Sequence, residues 1–235
     1  MHRFYFQYQL DKEIIMVKDR AMVHQMRDVL KLRRNDRVIF FNDRPEYAGY
    51  DFVGEVKNIE SGLVNFMFRE KLENKRESSK KLVLYQSLIK KDKFEWVLEK
   101  AVETGASEII PVISARSEKK SLNLERCATI LKEAAEQSGR AIIPKLHPVL
   151  SFDRAVSQAQ ASGAKTYFAS VSEKENMVRG AGNRQINLFI GPEGGWEERE
   201  IYAAGRANFE IISLGRLALR SETAAVVASY TLLWG

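Results

Sequence analysis

The sequence predicts an α/β protein with two parts. A small β-rich domain comes first, and a larger domain built on a mostly parallel sheet follows it. Three observations predict this. Residues 1–70 alternate short aromatic and β-branched runs with turn residues. Residues 71–81 sit in a charged stretch, "EKLENKRESSKK", that has no apolar period. From residue 82 on, apolar strand-like runs alternate with segments of helical period, the pattern of parallel strands joined by helices.

The elements follow in order. "RFYFQYQ", "DRVIFF", "YDFVGEV" and "LVNFMFR" read as strands, separated by Asn42, Asp43, Pro45, Gly49 and Gly62. One helix interrupts them between His24 and Lys31. So many short strands in so short a span suggest a small barrel. Residues 71–81 read as the linker to the second domain, 82–235. "LVLYQSLI" opens that domain as a strand. "DKFEWVLEKAVETG" follows as a helix, with Phe94, Val97, Leu98 and Ala101 on one face, Asp92 as N-cap and Gly105 as stop. "EIIPVI" is a strand, and "NLERCATILKEAAEQSG" a helix with Cys127, Ile130, Leu131 and Ala134 on one face. "SFDRAVSQAQASG" is a helix capped by Ser151, and "KTYFASV", "INLFI" and "EIISL" are buried strands. The last helix, "SETAAVVASYTLLW", carries almost no charge after Thr223. A helix apolar on all sides needs cover on all sides, so it is either a central core helix or part of a homodimer interface.

Bulk composition narrows the function. The chain has 235 residues, 45% of them hydrophobic and 29% charged, enough for a sizeable core with a solvated surface. No apolar run is long enough for a membrane helix, and "MHRFYFQYQLDKE" lacks the apolar centre of a signal peptide, which predicts a cytoplasmic protein. Cys127 is the single cysteine and the three histidines are scattered, so no disulfide framework or zinc spacing is present. Net charge is +6, and residues 1–81 hold a net +4 of it. The smaller domain is therefore the more basic per residue, a weak pointer to nucleic acid. Within it, Lys31, Arg33, Arg34 and Arg37 cluster, as a solvated helix end or as an electrostatic footprint for RNA.

The chemistry concentrates near the C-terminus. In "INLFIGPEGGWEERE" a strand stops at a glycine turn, and a helix-like stretch follows. Such a turn often cradles phosphate, but the dinucleotide spacing and the Walker lysine are missing. Glu193, Glu197, Glu198 and Glu200 would repel a phosphate where a helix dipole should attract one. The turn either serves as a tight connection, with its acids complementing the helix, or receives a ligand without phosphate. A second turn, "IISLGRLALRSETAA", repeats the order of strand, glycine and helix. Two such turns at successive strand ends can share one crevice, where exposed main-chain groups hydrogen-bond a nucleoside.

These two motifs together resemble the cofactor loops of the RsmE family, the 16S rRNA uridine-N3 methyltransferases of the SPOUT class. The resemblance extends along the chain through "HRFYF", "VLKLRRNDRVIFF", "KKDKFEWVLEKAVETGASEIIPV", "ARSE" and "EAAEQSGRAIIP". Two departures stand out. Leu217 and Ala218 replace an Arg and a branched aliphatic, and Asn35-Asp36 replaces the usual Gly-Asp. The resemblance implies a C-terminal SPOUT domain with a trefoil knot and an N-terminal PUA-like RNA-binding barrel. It implies S-adenosyl-L-methionine (SAM) as cofactor, held by Ile190, Gly191, Pro192, Glu193, Gly194, Gly195, Ser213, Leu214, Gly215, Leu219, Thr223 and Ala224. It implies a homodimer acting on a uridine in helix 44 of 16S rRNA in the small ribosomal subunit, without metal or membrane. Arg220 and Glu222 become the catalytic candidates: uridine N3 is protonated at neutral pH, so transfer needs charge stabilisation and a proton acceptor. Arg3, Arg33, Arg34, Arg116 and Arg140 become candidate RNA contacts. Two other readings stay open: a knotted methyltransferase with another RNA substrate, and an idle RNA-binding homologue.

Overall fold

The computed structural model describes residues 1–118, 121–171 and 176–235. The chain divides into two compact units, residues 1–77 with 135–143, and residues 78–134 with 144–235.

The first unit carries β1 (His2–Tyr5), β2 (Ile14–Val17), α1 (Arg20–His24, continuing as one π-helical turn over Gln25–Val29), β3 (Arg37–Phe41), β4 (Tyr50–Glu60) and β5 (Leu63–Glu73). They form a five-stranded sheet in the order β1-β3-β4-β5-β2, with β1 parallel to β3 and the other pairs antiparallel. Alternating apolar residues put Phe4, Val38, Phe40, Phe52, Val56, Val64 and Phe66 into one core, to which Val23 and Met26 add. The strand β2, "IIMV", has too short an apolar run to stand out in sequence, and it forms because it pairs along β5. The expected linker is also shorter at its start than its composition suggests. β5 runs on to Glu73 because its main chain still pairs with β4, Glu73 opposite Tyr50. A ladder needs backbone partners, and its exposed side chains are free to be polar.

Residues 135–143 belong to this unit and explain two polar side chains at its core. Arg3 makes a forked pair with Asp51, at 2.8 and 2.9 Å, and donates to the Arg140 carbonyl at 2.8 Å. Arg140, itself buried, pairs with Glu77 at 2.8 Å. Asn74 bridges Asp51 and the Gly139 carbonyl, both at 3.0 Å.

The second unit is built on β6 (Lys81–Ser87), α2 (Lys91–Thr104), β7 (Glu108–Ile113), α3 (Leu124–Ser138, whose last turn lies in the first unit), β8 (Lys145–Leu146), β9 (Leu150–Ser151), α4 (Phe152–Ala161), β10 (Lys165–Ala169), β11 (Gln185–Ile190), α5 (Glu198–Arg206), β12 (Glu210–Ile212) and α6 (Ser221–Trp234). The sheet order is β12-β10-β11-β6-β7-β8, with β9 also on β7, and every pairing is parallel. Parallel strands covered on both faces are mostly apolar, as "INLFI" and "EIIPVI" are apart from Asn187 and Glu108. Tyr85 and Phe189 stack across β6 and β11 with centroids 4.3 Å apart. Asp92 is not the N-cap of α2. Lys90 takes that position, and Asp92 lies in the first turn, where its charge complements the helix dipole. Gly105 ends α2 in the left-handed conformation, as its position predicts.

α6 answers the question its composition raises. Ala224, Ala225, Ala228, Leu232 and Leu233 are buried within the unit, where α6 packs on α2, β6 and β11. Thr223, Val227, Tyr230 and Trp234 form an exposed stripe on the other side.

Candidate active site

The two glycine turns leave the C-terminal ends of β11 and β12, at one end of the sheet. Ser221, the first residue of α6, donates from Oγ to the Gly191 carbonyl at 2.5 Å. Gln86, at the end of the central strand β6, donates from Nε2 to the same Oγ at 3.0 Å and to the Ser87 carbonyl at 3.0 Å. The chain Gln86–Ser221–Gly191 therefore ties both turns to the sheet. Ile190 and Ser213 are buried at the roots of the turns, whereas Glu193 and Gly194 are exposed at the first tip.

Local packing accounts for the glycines. A Cβ on Gly191 would lie 3.0 Å from the buried ring of Trp196. That ring cannot yield, because it stacks on Phe168 and its Nε1 donates to the Ala169 carbonyl at 2.9 Å. Gly215 has φ of +121°, outside the range of side-chain-bearing residues. Nothing lies within 4 Å of where its Cβ would stand, nor of the one on Gly195. The turns thus present bare main chain to open space. Pro192 closes the first turn by accepting from the Gly195 N–H at 2.9 Å.

A third loop joins them. Arg116 is exposed, and its Nη1 donates to the Gly194 carbonyl at 2.7 Å. Glu200 is buried and accepts from the Ala115 N–H and the Glu197 N–H, both at 2.9 Å. Three of the four acids in and after the glycine turn have partners in the structure. Glu200 holds two backbone donors, Glu197 receives Arg199 at 2.8 Å, and Glu193 faces the Lys93 ammonium at 3.5 Å.

Arg220 occupies the N-cap of α6 with its side chain exposed, and among the described residues it makes no ion pair. Glu222 is only partly exposed. Its Oε1 lies 3.8 Å from Lys93 Nζ, and its buried Oε2 has no hydrogen-bond partner among the described residues. Leu214 and Leu219 are half-buried, Ala224 is buried, and Thr223 faces outward on the first turn of α6. Leu217 is 81% exposed and Ala218 exposed as well, so their departure from the family pattern changes a surface and not the packing.

In the first unit, Arg33 and Arg34 are exposed on the turn before β3. Asn35 there has φ of +73°, a conformation Asn tolerates in place of Gly. Arg37 and Arg69 share Glu55, at 3.2 and 2.6 Å, and the Arg69 guanidinium first, then Arg37, holds that carboxyl below its ordinary value. Arg3 and Arg140, the other arginines expected at RNA, have little side-chain exposure, and their guanidiniums pair with Asp51 and Glu77.

Gln86, Lys93, Trp196 and Ser221 are the site residues that sequence reasoning missed. Gln86 did carry a signal, a polar amide at the end of an otherwise apolar strand. Lys93 carried none, because its partners stand 100 and more positions away.

Residues 76–233 match the RNA methyltransferase domain family. A ribosomal RNA small subunit methyltransferase E of Mesomycoplasma hyopneumoniae is 36% identical over 163 residues, covering 67% of this chain and 71% of that protein. The chain belongs to the RsmE family. The RsmE relative of Rickettsia conorii is 29% identical and extends the match to 88% of this chain and 84% of its own length. The crystal structure of the Neisseria gonorrhoeae RsmE bound to S-adenosyl methionine superposes with a TM-score of 0.86 at 28% identity, covering 97% of this chain and 95% of that one. A Legionella pneumophila methyltransferase in complex with SAM gives 0.82 at 25% identity, over 97% and 94%. RsmE membership thus covers both units. Among the described residues, no acid, His and Cys group could hold a metal, and no helix is long and apolar enough to cross a membrane.

Proposed function

We propose that this protein is a cytoplasmic SAM-dependent methyltransferase that modifies N3 of a uridine in helix 44 of 16S rRNA, in the decoding region of the small ribosomal subunit. The observation that carries it is the Ser221–Gly191 hydrogen bond, which joins two main-chain-lined turns and puts Arg220 and Glu222 at their junction. The turns fit the cofactor on their own geometry. Open space stands beside Gly195 and Gly215, and an acidic first turn accepts a phosphate-free nucleoside but not a dinucleotide. The residues that would hold it are Ile190–Gly195, Ser213–Gly215, Leu219, Thr223 and Ala224. When bound, SAM supplies a methyl group already activated on a sulfonium.

This chain's residues then have three tasks. The turns orient the cofactor through backbone groups, so that the uracil can approach in line. Arg220, exposed at the N-cap and without an ion pair among the described residues, stabilises the negative charge that builds on the uracil carbonyls. Glu222 accepts the N3 proton. Its Oε2 keeps an unused acceptor, and a buried acceptor without a partner is uncommon enough to need a reason.

The second unit is read as a trefoil-knotted SPOUT domain. The contacts of residues 176–181 support this: Ser213 donates to the Asn176 carbonyl at 2.7 Å, and Ala181 donates to the Leu232 carbonyl. The stretch before β11 thus lies against both ends of the chain that follows β12. The first unit is read as a PUA-like barrel that binds RNA through Arg33 and Arg34, with Lys31 and Arg37 beside them. Arg116 contacts RNA from the second unit. The exposed stripe on α6 is read as the face of a homodimer.

Reverse transcription of 16S rRNA tests the function, because a methyl on N3 blocks base pairing. The gene's deletion should erase a stop in helix 44, and restoring the wild-type gene should bring it back. Arg220→Ala should leave SAM binding intact and lower transfer by about 100-fold or more, the range for lost transition-state charge stabilisation. A stop that survives deletion refutes the assignment.

A further inference from the structure

We propose that Lys93 is a positioning residue for methyl transfer and acts through Glu222; this rests on the functional reading above. Lys93 is the third residue of α2, and its ammonium lies 3.5 Å from Glu193 Oε1 and 3.8 Å from Glu222 Oε1. One cation thus meets two carboxylates from two separate segments, the first glycine turn and the first turn of α6. The Lys90 N–H, at the start of the same helix, adds a long contact of 3.4 Å to Glu193 Oε1.

The arrangement has a consequence for each acid. Two carboxylates drawn to one nitrogen repel each other once that nitrogen is removed. Lys93 therefore holds Glu193 and Glu222 together, and with them the two turns that line the cofactor site. It also divides the oxygens of Glu222. Oε1 faces the ammonium, and Oε2 is left without a partner among the described residues. A carboxylate restrained on one oxygen presents the other in a fixed direction, as a proton acceptor must. A lysine suits the place, since its long stem brings a point charge to both acids from a neighbouring helix. Its side chain is about one-third exposed, so the contact adds little to stability, and its effect is on geometry.

The test uses the full-length protein, labelled SAM and unmethylated 16S rRNA or small subunits, whichever the wild type modifies. Lys93→Met should lower kcat by about 10-fold with the KM for SAM within about threefold, the split expected when only the transition state loses an interaction. Lys93→Arg should recover most of the rate. In a Glu222→Gln background, Lys93→Met should cost less than about twofold more, because residues that act as a unit are not additive. Wild-type kcat in Lys93→Met overturns the proposal. So does an equal loss in both backgrounds, or an arginine variant no better than methionine. A wild type that transfers no methyl overturns the functional reading and this proposal with it, and is told apart from the other outcomes before any variant is made.

Discussion

A buried arginine needs its charge matched. Arg3 is matched at both terminal nitrogens, by Asp51 and the Arg140 carbonyl, and its side chain is 6% exposed; only its Nε lacks a partner among the described residues. Removing one partner of such a pair leaves the other charged and buried, which costs about 3–5 kcal/mol. Arg3→Ala should therefore destabilise the first unit by about that amount in a urea titration, with Asn74 the one remaining side-chain donor to Asp51 among the described residues. Arg3→Lys should recover little, because an ammonium cannot reproduce the fork. A loss under about 1 kcal/mol for Arg3→Ala would mean that the pair is no more than a surface contact. The same residue shows where sequence reading fails. Family resemblance marks Arg3 and Arg140 but does not show the ion pairs that they make. Whether an arginine faces a phosphate or a buried acid depends on residues 48 and 63 positions away in the chain, Asp51 and Glu77, which no local pattern reveals.

At the scale of elements, the acidic helix α5 is more than a dipole partner for its turn. Glu200, at its third position, returns a carboxylate oxygen to the Glu197 N–H and gives the other to the Ala115 N–H. One side chain thus caps the start of α5 and pins the loop that carries Arg116. Glu200→Ala should cost about 1–3 kcal/mol in thermal unfolding, since two part-buried N–H groups lose their acceptor. Glu200→Gln should fall between, since one amide oxygen can still accept. An alanine variant as stable as wild type would remove Glu200 from this role. The long strands of the second unit were legible because burial on both strand faces writes a mostly apolar run, as in β7 and in β11 around Asn187, and the helices were legible by their apolar period. β2, β8 and β9 were not, because strands of two to four residues form on the strength of a neighbour's ladder, which leaves no period to read. The glycine turns were legible as a site through their charge, whereas the Ser221 hydroxyl that joins them looked like an ordinary first-turn residue.

At the scale of the whole molecule, the apolar character of α6 is divided between two surfaces. Its alanines and Leu232 and Leu233 satisfy one side within the unit. Val227, Tyr230 and Trp234 lie three and four residues apart, so they share a face, and Tyr230 is 60% exposed at its centre. A contiguous apolar stripe of this kind on a helix marks an interaction surface more often than a solvated one. If a second copy covers it, the two stripes meet about a twofold axis, and Tyr230 lies near its partner's equivalent face. A charge there has no room for water and no matching cation on the stripe itself. Tyr230→Glu should therefore shift the protein from twice 26.9 kDa to 26.9 kDa in sedimentation equilibrium, with the fold of each unit kept. Methyl transfer should fall with it, since Arg220 and Glu222 stand at the start of this same helix. A variant that remains dimeric places the interface elsewhere, and a wild type that sediments at 26.9 kDa removes the dimer from the functional reading altogether.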